Sequence, residues 1–313
     1  MRLLNSLLLC CAIAAAQKQP PAAPPPGDDV VFHSDTRRVV LPVSVSDKSG
    51  KLVTDLTEKS FKVYENGVEQ PIKLFKREDV PVSLGIIVDN SGSMKEKRQK
   101  VETASIDLVK ASNAGDEVFI VNFNDEAYLD VEFTNDIKLL QDGVAKIDSR
   151  GGTAMRDAID KSIDYLKKEG KRQKKVLLVV TDGNDNASTV NLEKLVNRAR
   201  QAEVLIFAIG LLNEEERREA KAAKRALDAL TQESGGLSFY PKSVAEVDKI
   251  ALQVAHEIRN QYTIYYAPTV QEMDGSFRQI KVTVNGPGHP VARTRTGYYA
   301  TPDTAKKATS QVH

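Results

Sequence analysis

The chain is short of cysteine, histidine and net charge, and each shortage excludes a class of function. Its two cysteines, Cys10 and Cys11, both lie at the very start. A disulfide framework, a cysteine zinc site and a cysteine nucleophile in the body of the protein are therefore excluded. Four scattered histidines (His33, His256, His289 and His313) offer no histidine-rich metal site. Lysine plus arginine number 44 against 43 acids, a net charge of +1 over 313 residues. That balance argues against a dedicated nucleic-acid binder and against an acidic solvating tail. No later segment is long and apolar enough to span a bilayer, so the mature chain is expected to carry no transmembrane segment. What remains, 41% hydrophobic and 28% charged residues, is the composition of a folded protein long enough for two ordinary domains.

The first residues read as an export address. Arg2 supplies a positive start, Leu3 to Ile13 an apolar run, and Ala14-Ala15-Ala16 the small residues that signal peptidase needs. Residues 1–16 are expected to be a signal peptide cleaved before Gln17, leaving the protein in the periplasm, at the cell surface or secreted. Acylation at Cys10 is the lipoprotein alternative, and the bulky Leu9 before it argues against that; an uncleaved anchor is a further alternative. Residues 17–29 are proline-rich and predict an extended linker.

Residues 30–80 read as strands. Val39, Leu41, Val43 and Val45 alternate with other side chains, and Asn66-Gly67 joins two strand-like runs as a hairpin turn. Residues 82–260 change character. Apolar runs at Val82–Val88, Val118–Phe123, Val176–Val180 and Val204–Ile209 have no polar face, as in parallel strands covered on both sides. Between them Leu192, Leu195, Val196 and Ala199 recur at helical spacing. Ser243 and Glu246 read as a capping box opening a helix with Val247, Ile250, Val254 and Ile258. Residues 261–300 return to strands, with Ile280, Val282 and Val284 alternating after an Asp274-Gly275 turn, and the polar residues 301–313 form a tail expected to be disordered. The fold class is α/β, a doubly wound and mostly parallel sheet inserted in a small β-domain built from N- and C-terminal strands. Two separate strand extensions are the alternative.

The chemistry gathers at strand ends. The first apolar strand runs into Asp89-Asn90-Ser91-Gly92-Ser93-Met94, and ligands of open parallel sheets sit at the carboxyl ends of the strands. A glycine-rich loop, Arg150-Gly151-Gly152-Thr153, presents a hydroxyl before a helix, and the strand at Val176–Val180 ends in Thr181-Asp182-Gly183. Asp89, Ser91, Ser93, Thr153 and Asp182 would then converge two carboxylates and three hydroxyls. An all-oxygen set of this kind suits a hard divalent cation, Mg²⁺ or Mn²⁺, with Ca²⁺ also admitted. One coordination position left for an outside ligand would suit an Asp or Glu side chain of a partner protein.

These residues resemble the metal-ion-dependent adhesion site of the von Willebrand factor type A (VWA) family, in Asp89-Asn90-Ser91-Gly92-Ser93, Thr153 and Thr181-Asp182-Gly183. The resemblance covers residues 82–260 and implies a Rossmann-like VWA domain that binds protein partners through a metal. It implies Ser91, Ser93 and Thr153 as direct ligands, and Asp89 and Asp182 binding mostly through water. It also implies, from some relatives, that the final helix of the domain moves with metal occupancy. The flanks are similar to secreted bacterial, acidobacterial-type VWA-related proteins, in Leu41-Pro42-Val43-Ser44-Val45, Asn66-Gly67-Val68-Glu69-Gln70 and Gly297-Tyr298-Tyr299.

Plainer roles compete with each piece alone. Ser91 and Ser93 would serve as helix caps and Asp182 as a turn anchor, or a bound ion would only stabilise the loops. An aspartyl phosphotransferase needs an acid where Ser91 stands. A serine hydrolase needs Gly-x-Ser-x-Gly, which Asp89-Asn90 before Ser91 breaks. No nucleotide-binding glycine motif opens the first turn. His256 is expected to be a packing or surface residue. The run Lys167 to Lys175 reads as a solvated helix end with Gly170 as a left-handed cap, over a polyanion site. The run Glu214 to Arg225 reads as an exposed helix, and Tyr262, Tyr265, Tyr266, Tyr298 and Tyr299 as strand-packing aromatics. The expected function is non-enzymatic, metal-dependent protein binding. A structural envelope subunit with a constitutive metal is the alternative, and a metal-assisted hydrolase is a distant third.

Overall fold

The computed structural model describes residues 37–77, 79–145, 149–183, 185–212 and 217–301. The signal peptide, the proline-rich linker and the tail beyond Thr301 lie outside the described residues. Along the chain come β1 (Val39–Ser46), β2 (Phe61–Glu65), β3 (Val68–Gln70), β4 (Ile72–Arg77), β5 (Val82–Asp89), α1 (Arg98–Ala111), β6 (Glu117–Phe123), β7 (Ala127–Thr134), α2 (Ile137–Val144) and α3 (Met155–Glu169). There follow β8 (Lys174–Thr181), α4 (Leu192–Ala202), β9 (Leu205–Gly210), α5 (Arg217–Ser234), β10 (Ser238–Phe239), α6 (Val247–Arg259), β11 (Tyr262–Tyr266), β12 (Phe277–Val284), β13 (Val291–Arg293) and β14 (Gly297–Tyr299).

The six-stranded sheet has the order β10-β9-β8-β5-β6-β7 and is parallel except for β7. All eight residues of β5 are buried, because helices cover both faces. Leu84, Ile86 and Val88 pack towards α1, α2 and α6. Ile87 packs towards α3, α4 and α5. Gly85 lies under Phe119, where a Cβ would stand 2.3 Å from the ring. The chain leaves β5 for β6 on one side and returns to β8 on the other. The carboxyl ends of β5 and β8 therefore meet at the switch point of the sheet, where α/β folds place their ligands.

The flanking strands form two four-stranded antiparallel sheets, β13-β1-β11-β4 and β14-β12-β2-β3. Each combines strands from before and after the α/β layer: β1 and β4 pair with β11, and β2 pairs with β12. The expected insertion of the α/β layer into a β-domain is what the fold shows. Between these sheets lie Val39, Leu41, Val43 and Val45 with Tyr262, Ile264, Tyr266 and Tyr298. Tyr266 and Tyr298 both donate to the buried carboxylate of Glu65, at 2.7 and 2.9 Å. Asn66 and Gly67 take positive φ, 48° and 82°, at the expected hairpin turn.

Two local expectations are corrected. The Ser243–Glu246 capping box does not form, because a 3-10 turn over Val244–Glu246 intervenes before α6 and Ser243 makes no side-chain cap bond. The Glu246 carboxylate instead accepts from the Lys242 N–H at 3.0 Å. Gly170 is extended (φ −69°, ψ 121°) and not left-handed. Glycine is needed there because a Cβ would lie 2.5 Å from the Leu166 carbonyl oxygen. The edge strand β7 runs antiparallel to β6, within an otherwise parallel sheet. His256 is exposed on α6. Among the described residues no helix is long and apolar enough to cross a membrane.

Candidate functional site

Asp89 is the last residue of β5, 1% exposed. Its Oδ1 accepts from the Ser91 N–H at 2.8 Å and its Oδ2 from the Thr181 hydroxyl, at the end of β8, at 2.6 Å. Burial pushes the Asp89 carboxyl up to about 6, and the neighbouring Asp182 adds to the rise, while hydrogen bonds from Ser91 and Thr181 oppose it. The site thus holds a carboxylate whose charge is poorly solvated and only partly offset by its two donors.

Ser91 starts a short 3-10 turn over Gly92–Met94 but makes no side-chain cap bond. Its hydroxyl lies 3.2 Å from the Ser93 hydroxyl, and Ser93 donates to Asp182 Oδ1 at 2.8 Å. Helix capping therefore does not occupy Ser91. Asp182 follows β8 and is also largely buried. Its Oδ2 accepts from Lys97 Nζ at 2.5 Å, so it does not act as a backbone turn anchor through that oxygen. Ser91, Ser93 and Asp182 thus form a run of hydrogen-bonded oxygens, which the Ser91 N–H ties to Asp89, with Thr181 joining the two strand ends.

Thr153 arrives from the third loop. The Gly92 N–H donates to the Gly151 carbonyl at 3.3 Å and the Arg150 N–H to the Asn90 carbonyl at 3.0 Å, which ties this loop to the end of β5. Gly151 has φ 77°, and a Cβ there would lie 2.1 Å from Asp125 Oδ2. Asp125 holds the Gly152 N–H at 2.8 Å, and Asn186 Oδ1 holds the Thr153 N–H at 2.9 Å. The Thr153 hydroxyl lies against the Thr181-Asp182-Gly183 segment, 3.7 Å from where a Cβ on Gly183 would stand. All five expected residues are therefore brought to one end of the sheet, four in direct hydrogen-bonded succession and Thr153 beside them.

Several contributors were not read from the sequence. Thr181 locks Asp89, Lys97 reaches Asp182, and Asp125 and Asn186 set the Gly-Gly-Thr loop. Asn90 donates to Asn122 Oδ1 at 2.8 Å, and Asn122 donates to Asp130 at 2.7 Å, which braces the first loop against β6 and β7. The position of Thr181 next to Asp182 was the available signal for its part. Lys97 sits in a charged run, Lys95-Glu96-Lys97-Arg98, where spacing alone does not single it out.

The model of the von Willebrand factor type A domain matches residues 84–253. A comparison with curated proteins finds no significant match. Among solved structures, an aerotolerance-related membrane protein from Bacteroides fragilis is 16% identical with a TM-score of 0.46, covering 56% of this chain and 98% of that one. The vWF domain of the type V pili tip protein Mfa5 from Porphyromonas gingivalis is 13% identical with a TM-score of 0.46, covering 57% of this chain and 97% of that one. Proximal thread matrix protein 1 from the mussel byssus, with a zinc-occupied MIDAS motif, is 16% identical with a TM-score of 0.49, covering 62% of this chain and 49% of that one.

Proposed function

Because the chain belongs to the von Willebrand factor type A domain family, whose members are protein-interaction domains and commonly hold a divalent metal, we propose that it is an exported, non-enzymatic binding protein. Its α/β layer, residues 82–260, holds one Mg²⁺ or Mn²⁺ ion, with Ca²⁺ admitted, and clasps an Asp or Glu side chain of a partner protein. Ser91, Ser93 and Thr153 are the proposed direct ligands, with Asp89 and Asp182 behind them. The β-domain, residues 30–80 with 261–300, serves as stalk or second contact surface. Export rests on the apolar run and small residues of 1–16.

One observation carries the reading: the Ser91 and Ser93 hydroxyls lie against each other, Ser93 donates to Asp182, and Ser91 leaves the helical turn uncapped. The donor set fits the ion, since oxygen atoms alone are offered and two carboxylates face one dication. The raised Asp89 carboxyl fits as well, because a cation beside it would compensate the charge that burial leaves poorly solvated. When bound, the ion supplies an electrophilic position that a carboxylate oxygen fills. The chain's own residues would hold that position: Thr181 fixes Asp89, and Lys97 holds Asp182 Oδ2, the oxygen for which it would compete with a bound ion.

Capture of partners from envelope extract tests the proposal. Retention that depends on Mg²⁺, is lost in EDTA, returns on adding Mg²⁺, and is absent in Asp89→Ala supports it. Capture indifferent to EDTA leaves a site that at most stabilises its loops. Hydrolysis of phosphate or peptide esters that disappears in Ser91→Ala would return the protein to the enzymes.

A further inference from the structure

The cations in the run Lys95-Glu96-Lys97-Arg98-Gln99-Lys100 take different directions. Arg98 pairs with Glu102 at 2.7 Å and Lys100 with Asp248 of α6, while Lys95 is exposed. Lys97 turns to the strand ends. Its Nζ meets Asp182 Oδ2 at 2.5 Å and the Leu211 carbonyl at 3.5 Å.

The backbone fixes where that side chain starts. The Met94 N–H donates to the Ser91 carbonyl at 3.1 Å, and the Lys97 N–H to the Met94 carbonyl at 2.9 Å. The Met94 side chain is fully buried, which anchors this turn in the core. Lys97 therefore stands two tight turns after Ser91, at the entry to α1. The two partners of its ion pair differ in access: the Lys97 side chain is 25% exposed and that of Asp182 is 1% exposed. A lysine ammonium is a strongly hydrated point charge on a flexible stem. It reaches water by turning its side chain, with the backbone in place, whereas the carboxylate stays buried.

The carboxylates at this edge call for a cation. Asp89 accepts from neutral donors, the Ser91 N–H and the Thr181 hydroxyl. The other oxygen of Asp182 accepts from the Ser93 hydroxyl. Neutral donors satisfy lone pairs without cancelling charge, and a buried carboxylate deprived of its cation is strongly destabilising. The Lys97 ammonium supplies one positive charge against two negative ones. A dication would balance both, and since it would share Asp182 with a like charge, the two cations would exclude each other.

We propose that Lys97 is a built-in counter-cation that keeps this site assembled when no divalent ion is bound, so that exchange of the lysine for the ion, and not folding of the loops, switches partner capture. The inference rests on the metal reading given above and adds its regulation. The loops around Ser91, Thr153 and Asp182 then stay formed at low ion concentration, and capture follows ion supply without refolding.

Thermal unfolding of the full chain, in EDTA and in Mn²⁺, tests the proposal in wild type, Lys97→Met, Lys95→Met and the double variant Lys97→Met with Asp182→Asn. In EDTA, Lys97→Met is expected to melt about 5–10 °C below wild type, the effect of stranding a buried carboxylate. Lys95→Met loses a charge from the same turn and is expected to melt with wild type. The double variant removes the stranded charge and recovers most of the loss, including the case in which Lys97→Met alone does not fold. Mn²⁺ raises the melting temperature of Lys97→Met more than that of wild type.

A second measurement needs no variant. Acylation of wild-type lysines by an N-hydroxysuccinimide ester, read by mass spectrometry, is expected to be slow at Lys97 in EDTA and several-fold faster in Mn²⁺, with Lys95 equal in both. Isothermal titration of Mn²⁺ into wild type separates the two levels of the argument. Mn²⁺ binding, with Lys97→Met as stable as wild type in EDTA, no recovery in the double variant, or Lys97 reactivity unmoved by Mn²⁺, overturns the counter-cation role and leaves the metal reading standing. Absence of Mn²⁺ binding overturns both.

Discussion

The Lys97 ammonium stands 2.5 Å from Asp182 Oδ2, while the other oxygen of the same carboxylate accepts from Ser93 at 2.8 Å. One buried carboxylate therefore joins a side-chain cation to the hydroxyl run that begins at Ser91. On the proposed metal reading, a divalent ion would compete with Lys97 for Asp182, and the lysine would set how tightly the ion is held.

That competition predicts the behaviour of Lys97→Met. Removing a like charge beside a cation site strengthens cation binding, by about tenfold if the interaction is near 1.4 kcal/mol. Titration of Mn²⁺ into wild type and variant checks this. Equal or weaker affinity in the variant contradicts it.

Gly151 and Asp125 make a second, geometric prediction. Gly151 has φ 77°, and a Cβ there meets Asp125 Oδ2, so Gly151→Ala must move either the loop or Asp125. Since Asp125 holds the Gly152 N–H, Thr153 shifts with it. A penalty of about 1–3 kcal/mol is expected, appearing as weaker Mn²⁺ binding together with lower thermal stability.

The β-domain is fastened to α6 by a buried ion pair. Glu257, 2% exposed, accepts from Arg293 of β13 at 2.7 Å. Arg293→Met leaves that carboxylate buried without its hydrogen-bonded partner and is expected to cost about 3 kcal/mol in urea unfolding. The double variant Arg293→Met with Glu257→Met should recover most of the loss. No recovery would show that the packing of the arginine stem, and not charge pairing, matters.

Lys174 gives a pH signature. Burial brings its ammonium down from 10.5 to about 8, although Asp79, Asp116 and Glu257 pull the other way. Below about pH 8 the folded protein bears the cost of a desolvated charge. From there to 10.5 the unfolded chain holds a proton that the folded chain has released, so this group adds stability as pH rises. The contribution is on the order of 3 kcal/mol. Unfolding measured across that range should show wild type gaining relative to Lys174→Met, and a constant difference contradicts it.

Much of the fold was legible because buried parallel strands have no polar face. The runs leading into Asp89 and Asp182 announce themselves as β5 and β8, and strand ends are where polar loops collect. The edge strand β7 gave no such signal: its side chains are half exposed, and its pairing with β6 shifts register twice. The Ser-x-x-Glu spacing at Ser243 does not reveal the 3-10 turn that precedes α6. Lys97 is hidden in a run of charges, Lys95-Glu96-Lys97-Arg98, where spacing does not single it out.

Anomalous diffraction from crystals soaked in Mn²⁺ locates the ion directly. A single strong peak is expected at the carboxyl edge of β5 and β8, in contact with the Ser91, Ser93 and Thr153 hydroxyls, with Lys97 withdrawn from Asp182. No peak there at saturating Mn²⁺, or a peak held by other residues with the Lys97–Asp182 pair intact, would contradict it.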